Sequence, residues 1–236
     1  MSRKFAVFDI DGTIFHWQFF HELFDELIDA NVVEQSVAQP VLDDRKKWRQ
    51  GTIDWNTYEQ GLVHALNTAI IGIDKSLLEN ISERIVTTKG KVLYHYTRNL
   101  LKKLQDEGYF TIVISGSQQT LVERFAQTYN VDVALGLDYE FKDGKLASIK
   151  QEIYGKKDAL LKDVVATHDL DWNDSYAVGD SLGDSLMLDL VTHPIAFNPD
   201  TKLLALAQEK GWKIVIERKS IAYTLEQNSD GQYVLS

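Results

Sequence analysis

Phe5-Ala6-Val7-Phe8-Asp9-Ile10-Asp11-Gly12-Thr13 is an apolar run that stops at two carboxylates and a glycine. It reads as a buried strand that breaks into a turn. Side chains alternate faces along a strand, so Asp9 and Asp11, two apart, point the same way and can converge at the sheet's edge. Two anions held that close repel unless a cation or a proton intervenes. The pattern predicts a metal site with acid/base work attached.

Downstream, Ile14-Phe15-His16-Trp17-Gln18-Phe19-Phe20 leads into apolar residues at helical spacing: Phe20, Leu23, Phe24, Leu27 and Ile28. That helix is expected to run to about Ala30, with Pro40 interrupting the chain before the next one. Further helices are predicted over 41–50, 55–69 and 74–87, with Asp54 and Asp74 as N-caps. No convincing strand is legible from Phe15 to Thr88. The pattern then changes. A helix over 92–107 ends at Gly108, a strand covers 109–114, and Ser115-Gly116-Ser117 reads as a turn before a helix over 121–129. A short strand is expected at 131–135, and residues 139–146 alternate around Asp143-Gly144, a hairpin signal. A helix over 157–167, strands at 175–178 and 195–197, a helix over 203–210 and a strand at 213–216 complete the series. The residues after Glu217 are polar and carry little pattern.

Strands alternating with helices predict an α/β fold, a mostly parallel, Rossmann-like sheet flanked by helices. The expected layout is a core domain over 1–14 and 89–236 with an all-helical cap inserted over 15–88. The insertion leaves the sheet just after the Asp pair. Ligands in such sheets bind beyond the carboxyl ends of the strands, so the helices are expected to form a lid there.

Composition sets limits on function. The chain has 236 residues, 44% of them hydrophobic, enough for a sizeable core. It has no cysteine, which excludes disulfides, thiolate metal sites and a cysteine nucleophile. A net charge of −10 argues against a nucleic-acid surface. Met1-Ser2-Arg3-Lys4 runs straight into a strand, and no window resembles a membrane span, so a soluble, cytoplasmic protein is expected. An anionic substrate would need local positive charge to overcome the global field.

Three more features fall at carboxyl ends of predicted strands. Ser115-Gly116-Ser117 offers hydroxyls and backbone N–H groups suited to phosphate oxygens. Lys156-Lys157 opens a helix with point charges. Val178-Gly179-Asp180-Ser181-Leu182-Gly183-Asp184 carries two carboxylates four apart. Carboxylate oxygens with room for water favour Mg²⁺. Hydroxyl, amide and ammonium suit a phosphoryl group, and a carboxylate can be its acceptor. Of the two lysines, Lys157 is preferred because Leu160, Leu161 and Val164 follow it at helical spacing, which sets the start of that helix against the core.

These motifs, in this order, resemble the haloacid dehalogenase superfamily in its phosphatase branch. Asp9-Ile10-Asp11-Gly12-Thr13 resembles the first motif, Ser115-Gly116-Ser117 the second, Lys157 the lysine and Gly179 to Asp184 the last acidic motif. A helical cap between the first two motifs is similar to the phosphoserine-phosphatase-like subfamily. The resemblance implies Asp9 as nucleophile and Asp11 as acid/base. It implies Mg²⁺ held by Asp9, the Asp11 carbonyl and Asp180, with Asp184 binding directly or through water. Ser115, Gly116 and Lys157 would hold the phosphoryl oxygens of a small phosphorylated metabolite.

The chain also departs from that pattern. Gln18 and Val63 stand where phosphoserine phosphatases carry an acidic residue and an arginine that grip the amino acid, so free phosphoserine is not the expected substrate. Gly183 replaces an asparagine that helps hold phosphate in many relatives. His16 has no second histidine at metal-ligand spacing. Gly179-Asp180-Ser181-Leu182-Gly183 also fits a serine esterase signature, with His193 downstream as base, but that reading leaves Asp9 and Asp11 unexplained. The same residues would also serve a phosphotransferase or mutase, or a phosphate-binding module without catalysis.

Overall fold

The computed structural model describes residues 2–219 and 221–236. β1 (Arg3–Phe8) is apolar on both faces: Phe5 and Val7 belong to one buried cluster, Ala6 and Phe8 to another. Such a strand must lie inside a sheet covered on both sides. Four helices follow it, α1 (Phe19–Asp29), α2 (Gln35–Arg49), α3 (Trp55–Ala69) and α4 (Lys75–Thr88). Next come α5 (His95–Asp106), β2 (Phe110–Gln118), α6 (Gln119–Tyr129), the hairpin of β3 (Val133–Lys142) and β4 (Lys145–Gln151), α7 (Lys157–Thr167) and β5 (Leu170–Gly179). After a 3₁₀ turn at Leu182–Asp184, the chain ends with α8 (Ser185–Leu188), β6 (His193–Phe197), α9 (Thr201–Lys210), β7 (Lys213–Arg218), β8 (Ile221–Gln227) and β9 (Tyr233–Leu235).

Among the described residues the strands make one nine-stranded sheet in the order β4-β3-β2-β1-β5-β6-β7-β8-β9. The six from β3 to β7 are parallel; β4, β8 and β9 are antiparallel additions at the two edges. The chain moves outward from β1 through β2 to β3, then returns to lay β5 on β1's other side, so the winding reverses at β1. Phe8, the last residue of β1, pairs with Val113 of β2 and Val178 of β5, so β1 and β5 end side by side, level with the residues of β2 just before Ser115. A crevice at such a reversal is where α/β sheets bind ligands.

One face of the sheet packs on α7, α8 and α9 through Leu161, Val164, Met187, Leu188, Leu203 and Ala207. The other packs on α5 and α6, and its apolar cluster runs without a break into α1, α3 and α4. The helices from 19 to 88 are joined to the sheet by two adjacent linkers. Phe15 bridges Leu93, the His16 N–H donates to the Val92 carbonyl (2.9 Å) and the Tyr94 N–H to that of Ile14 (3.0 Å). The tip of the β3–β4 hairpin also pairs with the connection between α3 and α4, through Asp74 and Lys145.

Several sequence expectations need correction. β2 does not stop at residue 114. After a register shift it continues to Gln118, which pairs with Leu137, so Ser115-Gly116-Ser117 is strand rather than turn. Pro40 does not interrupt the second helix but lies inside α2. It removes one early helix bond, and buried Ala38 and Val41 hold the helix together on either side. Asp54 does cap α3, accepting from the Thr57 N–H at 2.7 Å, whereas the Asp74 side chain makes no cap bond. The helix expected from residue 92 begins at His95, because residues 92–94 pair with the outgoing linker. Two unforeseen strands, β8 and β9, follow Glu217.

Candidate active site

The Asp9 N–H still donates to Val178 of β5 (2.9 Å), so Asp9 is fixed as the first residue beyond β1. The chain then turns sharply, with the N–H groups of Ile14 and Phe15 both on the Ile10 carbonyl. Gly12 makes the turn possible in two ways. Its φ is +78°, and a Cβ there would lie 2.2 Å from Oδ2 of Asp180. Glycine therefore lets the Asp180 carboxylate close over the turn. The Thr13 hydroxyl reaches that carboxylate at 3.3 Å.

The two carboxylates of the first motif meet different partners. Asp9 receives the Lys157 ammonium at 2.7 Å. Asp11 accepts from the Phe19 N–H at 2.5 Å and from the Ser115 hydroxyl at 2.6 Å. Phe19 is the first residue of α1, so this contact ties the site to the helical segment. Ser115 in turn accepts from the Ser117 N–H at 3.0 Å. Gly116 lies exposed between these two buried serines.

Lys157 is buried at the start of α7 and also binds Asp184 at 2.5 Å. Lys156 is exposed and pairs with Glu152, away from the site. Asp184 has no exposed surface. Its Oδ2 accepts from the N–H groups of Asp180 (3.1 Å) and Ser181 (3.0 Å) and from the Ser181 hydroxyl (3.1 Å). Gly179 permits this close packing, since a Cβ there would come within 2.4 Å of the Asp184 Cβ. Asp184 thus shapes the 180–181 loop and anchors Lys157.

Asp9, Asp180 and Asp184 each offer an oxygen, and these lie within 4.8 Å of one another. Hard oxygen donors converging around a single ammonium suit a small divalent cation such as Mg²⁺. The Asp11 carboxylate is not in this group; it faces Ser115 and Phe19 instead.

Burial dominates the electrostatics. It pushes Asp9 up to about 7, against the pull of Lys157, with Asp184 and Asp11 adding to the rise. It raises Asp11 despite the Phe19 and Ser115 hydrogen bonds, and it raises Asp180 well above the carboxylate range, helped by the charges of Asp9 and Asp184. Burial pulls Lys157 down, but Asp184 and Asp9 outweigh it and hold the ammonium charged. The site is carboxylate-rich and under-compensated, which is the condition for cation binding.

The remaining candidates fall outside this cluster. The Ser181 hydroxyl is spent on Asp184. His193 bonds Asp174 at 2.7 Å where β6 begins, at the opposite end of the parallel strands. The esterase reading therefore lacks its base. His16 is exposed and stacks on Tyr94. Gln18 precedes α1 without a side-chain cap bond, and Val63 is exposed on α3. Sequence reasoning missed Thr13, the Phe19 N–H and Asp200, whose carboxylate accepts from Leu203 (2.6 Å) and Leu182 (3.2 Å). Only Asp200 left a signal, as the residue that opens α9 after Asn198-Pro199.

A profile of haloacid dehalogenase-like hydrolases matches residues 6–189, most of the chain. A phosphoserine phosphatase of Archaeoglobus fulgidus is 26% identical over 200 residues, covering 84% of this chain and 53% of that protein; the chain thus spans about half the relative's length. A Bordetella pertussis protein of unknown function shares the fold with a TM-score of 0.72 at 21% identity, covering 92% of this chain and 99% of that one. A phospho-aspartyl intermediate analogue of phosphoserine phosphatase shares it with a TM-score of 0.60 at 22% identity, covering 93% and 95%. Among the described residues no helix is long and apolar enough to cross a membrane.

Proposed function

The chain belongs to the haloacid dehalogenase-like hydrolase family, and on that premise we propose that it is a Mg²⁺-dependent phosphatase that hydrolyses a small phosphate monoester through phospho-Asp9. One observation carries the reading: two carboxylates two residues apart occupy different surroundings. Asp9 faces Lys157 and the oxygen cluster, while Asp11 sits in a buried pocket closed by Ser115 and Phe19.

In the proposed reaction an Asp9 carboxylate oxygen attacks phosphorus as the ester P–O bond breaks. Asp11, whose raised pKa favours a proton, gives that proton to the leaving oxygen. Asp11 then takes a proton from water as the water oxygen attacks phosphorus. The bond to Asp9 breaks, and inorganic phosphate departs. Lys157 is already beside the nucleophile and holds phosphoryl oxygens with Ser115 and the Gly116 N–H. Asp9, Asp180 and the Asp11 carbonyl would hold Mg²⁺, with Asp184 orienting Lys157 and the 180–181 loop behind them. Bound there, the ion neutralises charge on the phosphoryl group.

The helices from 19 to 88, attached by paired linkers and touching Asp11 through Phe19, fit a cap over a core formed by residues 1–14 and 89–236. Such a cap would exclude water and select the leaving group. The test is hydrolysis of an aryl phosphate by the purified protein. Phosphate release with Mg²⁺, abolished by EDTA and by Asp9→Asn, is expected. Hydrolysis that survives Asp9→Asn but not Ser181→Ala would contradict it, and Mg²⁺ binding without turnover across a broad phosphate panel would favour a transferase or a binding module.

A further inference from the structure

Asp200 stands outside the oxygen cluster and is exposed, yet its polar groups are all engaged. It is the residue before α9, and its Oδ1 caps that helix by accepting from the Leu203 N–H at 2.6 Å. A helix cap needs only one such oxygen. The remaining contacts go instead to the stretch that carries Asp180 and Asp184. Oδ2 accepts from the Leu182 N–H at 3.2 Å, and the Asp200 N–H donates to the Asp180 carbonyl at 2.8 Å.

The backbone at Asp180 is thereby held from both sides. The N–H groups of Asp180 and Ser181 go to Asp184, while the Asp180 carbonyl and the Leu182 N–H go to Asp200. The seat of Asp200 is itself firm. Asn198 takes a left-handed φ of +42°, donates its N–H to the Val215 carbonyl (2.8 Å) and accepts from the Glu217 N–H (2.8 Å) through Oδ1. Pro199 restricts the next φ. Buried Leu203 and Ala207 anchor α9 on the sheet. Asp200 thus ties the 180–182 loop to a corner that β6, β7 and α9 hold in place.

We propose that Asp200 is a positioning residue for the metal: without touching the ion, it fixes the backbone at Asp180 and so sets the affinity for Mg²⁺ and the preference for Mg²⁺ over Ca²⁺. This rests on the Mg²⁺-dependent phosphatase reading. Mg²⁺ demands near-ideal octahedral geometry with short bonds, whereas Ca²⁺ accepts irregular sets of oxygens. A loosened Asp180 therefore penalises Mg²⁺ more than Ca²⁺. Loss of a negative charge at a distance weakens two divalent ions alike, so the ratio of the two affinities separates positioning from charge.

The test is calorimetric titration of the substrate-free full chain with Mg²⁺ and with Ca²⁺. Asp200→Asn keeps one acceptor oxygen and caps a helix as well as aspartate does, but its amide nitrogen cannot accept from Leu182. Its melting temperature in EDTA should stay near that of the wild type. Its Kd for Mg²⁺ should rise by about tenfold or more, the range for residues that orient metal ligands, and its Kd for Ca²⁺ by clearly less. Asp200→Ser, also a good cap but with a single oxygen, should repeat the split. Unchanged Mg²⁺ affinity in both variants overturns the inference and leaves Asp200 as a helix cap, whatever the melting temperatures do. Equal losses for Mg²⁺ and Ca²⁺ overturn it as well and mark a charge effect. Both outcomes leave the phosphatase reading intact, since that is judged on the wild type by phosphate release from an aryl ester. A wild-type protein that binds no Mg²⁺ removes the Mg²⁺-dependent reading and this inference together.

Discussion

Asp9 and Asp11 show how little sequence distance decides about chemistry. One is held against an ammonium among other carboxylates; the other lies in a pocket with two donors. If Asp11 supplies the leaving-group proton, Asp11→Asn should cost about 10²–10⁴ in kcat on alkyl phosphates. It should cost much less on an aryl phosphate, whose phenolate leaves without a proton; equal losses in steady-state rates would refute that role. Asp9 also links stability to pH. Without metal it keeps its proton up to about 7, so the folded state binds more protons than the unfolded one between the ordinary carboxylate range and that value. Its contribution is present at lower pH and is lost as pH rises through that window. His21 acts oppositely: burial, with Arg45 and Arg49, pulls it down to about 3, so it costs stability as pH falls below the ordinary imidazole range. Comparing Asp9→Asn with wild type cancels His21. In EDTA the melting temperature of Asp9→Asn should rise relative to wild type from pH 5 to pH 8, and a constant offset in thermal melts would count against the assignment. The pair and Lys157 were legible because a strand end and a helix start fix where side chains point. The Ser115 hydroxyl lies on Asp11, a contact that no spacing in the sequence shows, since it depends on the register of β2 against β1.

At the scale of the element, two supports come from far along the chain. The first turn of α5 has no cap from its own N-cap residue, Tyr94; instead Glu217, on β7, accepts from the N–H groups of His95 (2.9 Å) and Tyr96 (2.7 Å). Glu217→Ala should therefore cost about 1–2 kcal/mol in urea unfolding, as lost helix caps do, and a change near zero would show that water replaces it. Gly12→Ala introduces both a strained φ and a Cβ on the Asp180 carboxylate. It should weaken Mg²⁺ binding, measured by calorimetry, more than it lowers the melting temperature; unaltered affinity would contradict the close approach. Element types were largely readable from apolar spacing, and boundaries were not. β2 outran its apolar run because β3 offers Gln118 a partner after the register shift, and α2 ran through Pro40 because its buried residues lie on both sides of it. β8 and β9 escaped notice because these last two strands, β9 at the sheet's edge and β8 beside it, are largely open to water and carry no sustained apolar pattern.

For the whole molecule, the sequence indicated an α/β core and a helical segment but not how they share an interior. The apolar cluster on one face of the sheet extends through Phe19, Leu23, Leu62, Leu78 and Ile85, so these helices complete the core as well as adjoin the site. Joining His16 to Val92 by a short linker is geometrically easy, since their backbones are hydrogen-bonded. It would still uncover that cluster, and the shortened chain should aggregate or lose its cooperative transition; a monomer with a sharp melt would contradict a shared interior. The reversal of winding at β1 gathers residues from four distant stretches at one crevice, and the catalytic proposal depends on that convergence. Its most direct test is acid quenching during turnover of an aryl phosphate with Mg²⁺, followed by mass spectrometry of the peptic fragments. One phosphoryl group on Asp9, absent from Asp9→Asn, is predicted. Turnover with no protein-bound phosphoryl group, or with the group on Ser181, would contradict it.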